Sequence, residues 1–176
     1  MTGTSTTIAS KRAGTDLVGI YLNDHLAGAT AGTELARRVA KSHQNGPDGS
    51  VLKQFSADVA DDRASLVRIM SALGVTIRTY KVYAAWIGEK AGRLKFNGHL
   101  LTRSPLSSLE ELEILELGVQ GKAAGWRTLL TLAETDHRLN RDKLEGLISR
   151  AERQAEVLEE IRRRAADRVI MSRTAG

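Results

Sequence analysis

The sequence predicts an all-α protein: a four-helix bundle with one long crossover between the second and third helices. Three observations carry this. Apolar residues recur at helical spacing over four long stretches. The run NGPDG at 45–49 is a dense turn signal that folds the first two stretches back on each other. Between Val75 and Arg103 the pattern loses its regularity, as a connection crossing the bundle would.

The opening residues, MTGTSTTIAS, have neither the basic start nor the apolar core of a signal peptide. Residues 1–14 are expected to form a flexible tail. The first helix is expected from Thr15 to about Ser42. Leu17, Tyr21, Gly28, Ala31, Leu35 and Val39 form its inner stripe, which Val18, Leu22, Ala29, Ala36 and Ala40 widen. Asn23, Thr30, Glu34, Arg37 and Lys41 fall on the outer face. Asp24 and His25 lie inside or beside the apolar arc, an unusual place for charged groups. The run AGATAG suggests close approach of a neighbouring helix.

The second helix is expected from Ser50 to Leu73, stopped by Gly74 as a left-handed cap. Its inner stripe is Val51, Phe55, Val59, Leu66, Ile69 and Leu73, with Asp62 in the middle and Asp58 one turn earlier. In the connection, Tyr83, Trp86, Ile87 and Leu94 suggest a short extra helix from Thr79 to about Ala91. Lys90, Arg93, Lys95, His99 and Arg103 make 90–103 a basic segment.

The third helix, Ser104 to Ala133, is the best marked. Ser104 caps and Pro105 takes the first position, where its missing N–H is harmless. Glu110, Glu111, Glu113 and Glu116 suit the positive end of the helix dipole. Leu112, Leu115, Val119, Ala123, Trp126 and Leu130 form one stripe; Ile114, Leu117, Ala124 and Leu132 form a second. Two stripes predict a central helix. Gly118, Gly121 and Gly125 each cost about 1 kcal/mol in a helix, and close packing is the expected compensation. The fourth helix, Asp142 to Ile170, carries Leu144, Leu147, Ile148, Ala151, Ala155, Leu158, Ala165 and Val169 on one face. Alternating charges cover the other, including the arginines of 162–168. The bundle domain is thus expected over 15–170, with a flexible tail at 171–176.

The chain has 176 residues, a natural single domain. Aromatics are scarce at 4%, and two prolines leave helices uninterrupted. With no cysteine, disulfides and thiolate metal sites are excluded. No apolar run reaches the length of a membrane span, so a cytoplasmic protein is expected. A formal charge of +5 permits nucleic-acid binding without arguing for it. There is no phosphate-binding glycine loop and no cysteine nucleophile, so nothing indicates an ordinary hydrolase or transferase.

Two helices joined by a tight turn, a long crossover and two more helices resemble the ferritin-like superfamily. The runs DHLAGATAGTEL and Asp58 to Asp62 look like its first helix pair, and the likeness covers residues 15 to 170. Di-iron members place a Glu on each of two helices and Glu-x-x-His on the other two. This chain departs from that. Asp58-x-x-Asp61, Asp62-x-x-Ser65, Glu152-x-x-Ala155 and Glu159-x-x-Arg162 lack the histidine, and Glu134-x-x-His137 falls at a turn.

The resemblance implies Asp24, His25, Asp62, Glu116 and Glu152 as a metal set for iron or manganese. The favoured reading is instead a buried polar network of Asp24, His25, Asp62 and Arg63 that fixes helix register, with His25, Arg127 or Gln120 as available partners of Asp62. No cofactor is therefore predicted. The expected function is a ferritin-like bundle with a degenerate metal centre, acting by binding or by homo-oligomerisation through its Gly/Ala-rich faces, not by catalysis. The alternatives are a carboxylate-based oxidase or metal-handling protein, and a nucleic-acid or ribosome-surface binder using 90–103 and 162–168.

Overall fold

The computed structural model describes residues 4–78 and 105–174, with side chains from 17 to 78 and from 105 to 171. The described residues form four helices and no strand: α1 (Thr4–Ser42), α2 (Gly49–Ala72), α3 (Pro105–Leu132) and α4 (Arg141–Thr174). The short helix expected from Thr79 to Ala91, and the basic segment 90–103, lie outside the described residues.

The helix ends follow local chemistry. Gly49 starts α2 because a Cβ there would stand 2.6 Å from the Gln44 carbonyl oxygen. Gly74, at φ +70°, ends it as expected. The Asn140 side chain caps α4 by accepting the Lys143 N–H at 2.9 Å. Two boundaries differ from expectation. The α1 helix begins at Thr4 and not Thr15, and α4 runs on to Thr174 past Ile170. Both extensions lack an apolar stripe, the signal on which the expected limits rested.

Contacts fix the helix directions. Tyr21 meets Thr128 and Arg38 meets Glu111, so α1 and α3 are antiparallel. Arg63 bonds Thr30, which sets α2 against α1. Asp48 pairs with Arg164 and the Leu73 carbonyl with Arg138, so α2 and α4 are also antiparallel. The α3–α4 pair shares the most extensive contact, followed by α1–α2 and then α1–α3. The end of α2 and the start of α3 therefore lie at opposite ends of the bundle.

The core is continuous through all four helices. Leu22, Val39, Leu52, Met70, Leu112, Leu144 and Leu158 are among its most buried members. Leu112, Leu115, Val119, Ala123 and Trp126 are buried as the first stripe of α3 requires, with Leu129 in place of the half-buried Leu130. The second stripe is different. Leu117 is 73% exposed and Ile114 37%, and Ala124 is exposed. So α3 buries one face, not two.

On α1 the buried face is rotated from the expected one. Leu17 is 69% exposed, whereas Asn23, expected outside, is buried. Its amide donates to the Gly19 and Thr76 carbonyls at 2.7 and 3.0 Å, and its oxygen accepts the Arg78 N–H. An apparent outer-face polar residue thus fastens the chain leaving α2 to α1.

Candidate functional site: a cavity beside a buried carboxylate

Helical phase carries Asp62 inward between Phe55, Val59 and Leu66 on α2, and it is 2% exposed. A carboxylate buried this deeply must be answered by charge or hydrogen bonds. Lys122 of α3 donates to its Oδ2 at 2.6 Å. Gln154 of α4 donates its amide N–H to the same oxygen at 3.1 Å, and its own carbonyl accepts from Lys122. Arg150 of α4 forms an ion pair with Oδ1, although no N–H points along a hydrogen bond to that atom. Three helices therefore meet at one carboxylate. Burial pulls the Lys122 ammonium below its usual range, and the Asp62 charge beside it opposes that pull.

Asp62 thus sits in a buried polar network, but not with the expected members: Asp24 is exposed, Arg63 donates to Thr30, and the partners are Lys122, Arg150 and Gln154. Arg127 is at the surface with Glu152, at 2.9 Å, and Gln120 is exposed. His25 sits against the α3 backbone at Gly125, where an added Cβ would come within 2.9 Å of the imidazole. Its ring stacks edge-on to Tyr21 at 4.4 Å. Burial lowers the His25 pKa, and neighbouring Asp24 partly offsets this.

The five residues of the expected metal set are not brought together. Asp24 is exposed, Glu116 lies 3.7 Å from Arg162, and Glu152 is with Arg127. Among the described residues no group of three or more His, Asp or Glu is placed to hold a metal ion. The donor set around Asp62 is an ammonium, a guanidinium and an amide, none of which fits a di-iron centre. Glu134 and His137 are exposed on the turn. In the arginine run, Arg162 and Arg163 pair with Glu159, and Arg164 with Asp48 and Glu160, as the alternating charge of that face leads one to expect.

Beside Asp62 opens a cavity of about 300 Å³ bounded by α1, α2 and α3. Its walls are mainly apolar: Leu22, Phe55, Val59, Leu115, Val119 and Leu129. Gly28 and Gly32 of α1 and Gly118 and Gly121 of α3 line it too, and a Cβ on any of the four would meet nothing within 4 Å. The glycines expected to bring helices into contact instead leave space between them. Only Gly125, against His25, is a point of close approach. Trp126 also lines the cavity, 3% exposed, and its Nε1 has no hydrogen-bond partner among the described residues.

Lys122, Arg150 and Gln154 were not anticipated from the sequence. A signal did exist for two of them. Gln154 lies three residues after Ala151 and four before Leu158, in phase with the α4 stripe, and Lys122 stands one turn before Trp126. Compared with known proteins, the chain matches no family model, no curated protein and no solved structure.

Proposed function

We propose that the protein is a ferritin-like bundle in which an ion-pair network stands in place of the metal centre. Its role is to bind a small, mainly apolar molecule, not to catalyse. One observation carries this: an apolar cavity of about 300 Å³ adjoins a carboxylate already neutralised by protein groups. That volume is at the lower end of ordinary ligand pockets. The helix directions support the ferritin-like reading, because a connection between opposite ends is what one long crossover supplies. Binding is favoured over association through the Gly/Ala faces, since those faces are the walls of the cavity.

Amide-resolved NMR tests the reading. A panel of small apolar molecules added to the full chain should shift the amides of Gly28, Gly32, Gly118 and Gly121 together. Shifts scattered over the surface, or none at all, would contradict it.

A further inference from the structure

The glycines make room but select nothing. The polar side chains on the cavity wall are Asp24, His25, Asp62, Arg63, Lys122 and Trp126. All but His25 are spoken for. Asp62 and Lys122 hold each other and Gln154. Arg63 donates to Thr30, and Asp24 is exposed, where water solvates it. The Trp126 N–H is sealed away from the open space.

His25 differs. Tyr21 and the Gly125 backbone hold its ring, but neither ring nitrogen has a hydrogen-bond partner among the described residues. Neither nitrogen is sealed off as Trp126 Nε1 is. Burial keeps the imidazole neutral, so it presents one N–H and one lone pair. The open space begins beside it. Gly125 takes the ring, and one turn further along the two antiparallel helices Gly28 and Gly121 leave a gap. From His25 to Gly32 the wall runs about 10 Å, at the helical rise per residue.

The surrounding charge favours a neutral guest. Lys122, Arg150 and Arg63 are matched by Asp62, Asp58 and Asp24. A charged head would lose its hydration with no excess of opposite charge to meet it. A hydroxyl both donates and accepts, so it suits either nitrogen of a neutral imidazole.

We infer that the cavity takes a neutral apolar molecule with a hydroxyl at one end, its body between the glycine faces of α1 and α3 and its hydroxyl on the His25 imidazole. This rests on the binding reading above, and the test separates the two. NMR titration of the full chain at neutral pH compares 2-naphthol, naphthalene and 2-naphthoate. Naphthol should bind about fivefold tighter than naphthalene, the gain from one added hydrogen bond. It should also bind tighter than naphthoate. In His25→Phe, naphthol and naphthalene should come within about twofold of each other. In the unsubstituted chain, the His25 ring-nitrogen signals should move several times further with naphthol than with naphthalene. Gly121→Leu from α3, or Gly28→Leu from α1, should fill the space and abolish binding of naphthol and naphthalene. If naphthol and naphthalene bind equally, the hydroxyl assignment is overturned while the cavity reading stands. If none of the three binds, both fall. Tighter binding of naphthoate would overturn the neutral class, and a preference for naphthol that survives His25→Phe would overturn the role of His25. Should His25→Phe fail to fold, the ring-nitrogen signals decide, and equal movement with both compounds would overturn the inference. Binding that survives both glycine substitutions would place the site elsewhere and overturn it too.

Discussion

Lys122 of α3 and Asp62 of α2 meet at 2.6 Å in the bundle interior, and Gln154 of α4 binds both. Removing one member of a buried pair leaves the other uncompensated. Lys122→Met should therefore cost about 3 kcal/mol, near the lower limit for a broken buried pair, because Arg150 still reaches Asp62. Asp62→Asn should cost less, about 1 kcal/mol, since the amide oxygen still accepts from Lys122. Urea unfolding of the two variants gives the order directly; a reversed order would contradict the network.

Trp126 is buried in phase with Leu112, Leu115, Val119 and Ala123. Trp126→Ala should cost about 3–5 kcal/mol. In a Trp86→Phe background the remaining emission should be that of a shielded indole. A solvent-like maximum would show that the inner face of α3 is wrongly assigned.

His25 is held neutral by burial, with Asp24 beside it, the Tyr21 ring on α1 and the Gly125 backbone on α3 facing it. Its folded pKa is below 6.5, so the unfolded chain takes up the proton first as pH falls. Stability should decline on acidification below 6.5 until the folded value is reached, and His25→Gln should flatten that slope. NMR titration of the imidazole showing a pKa above 6.5 would refute the assignment.

At the α3–α4 turn, Arg138 holds the Asp136 carboxylate at 2.8 Å and donates to the Leu73 carbonyl. The Arg138 hydrogen bond depresses the Asp136 pKa to about 2 from 3.8. The shift has the same sign as that of His25 but a different cause, a hydrogen bond to the charged form instead of burial of the neutral one. The stabilisation is present above pH 3.8 and disappears as pH falls toward 2. The melting temperature should drop across that window, less so in Arg138→Ala.

The four-helix layout was legible because the helix ends facing the connections carry local signals, whereas the outer ends of α1 and α4 do not. Pro105 and Gly74 mark ends of α3 and α2, and the 3.6-residue period places Asp62, Leu66 and Trp126 correctly. What sequence periodicity cannot separate is a glycine that admits a neighbouring helix from one that leaves a gap. Gly125 does the first and Gly121 the second on the same helix. Partner choice was also hidden. The residues answering Asp62 come from α3 and α4, and their reach depends on long side chains crossing between helices. Lys122 escaped notice because a lysine beside an apolar stripe is ordinarily read as reaching for solvent, whereas its ammonium here meets a buried carboxylate.

The account stands on Asp62 being neutralised by Lys122, Arg150 and Gln154, with no metal ion needed there. Thermal unfolding of chelator-treated protein, with and without added manganese or anaerobic ferrous iron, tests this most directly. A ligand that binds only the folded chain raises its melting temperature. The account predicts no rise with either ion. A rise of several degrees that disappears in Asp62→Asn would contradict it and restore a metal site to the centre of the bundle.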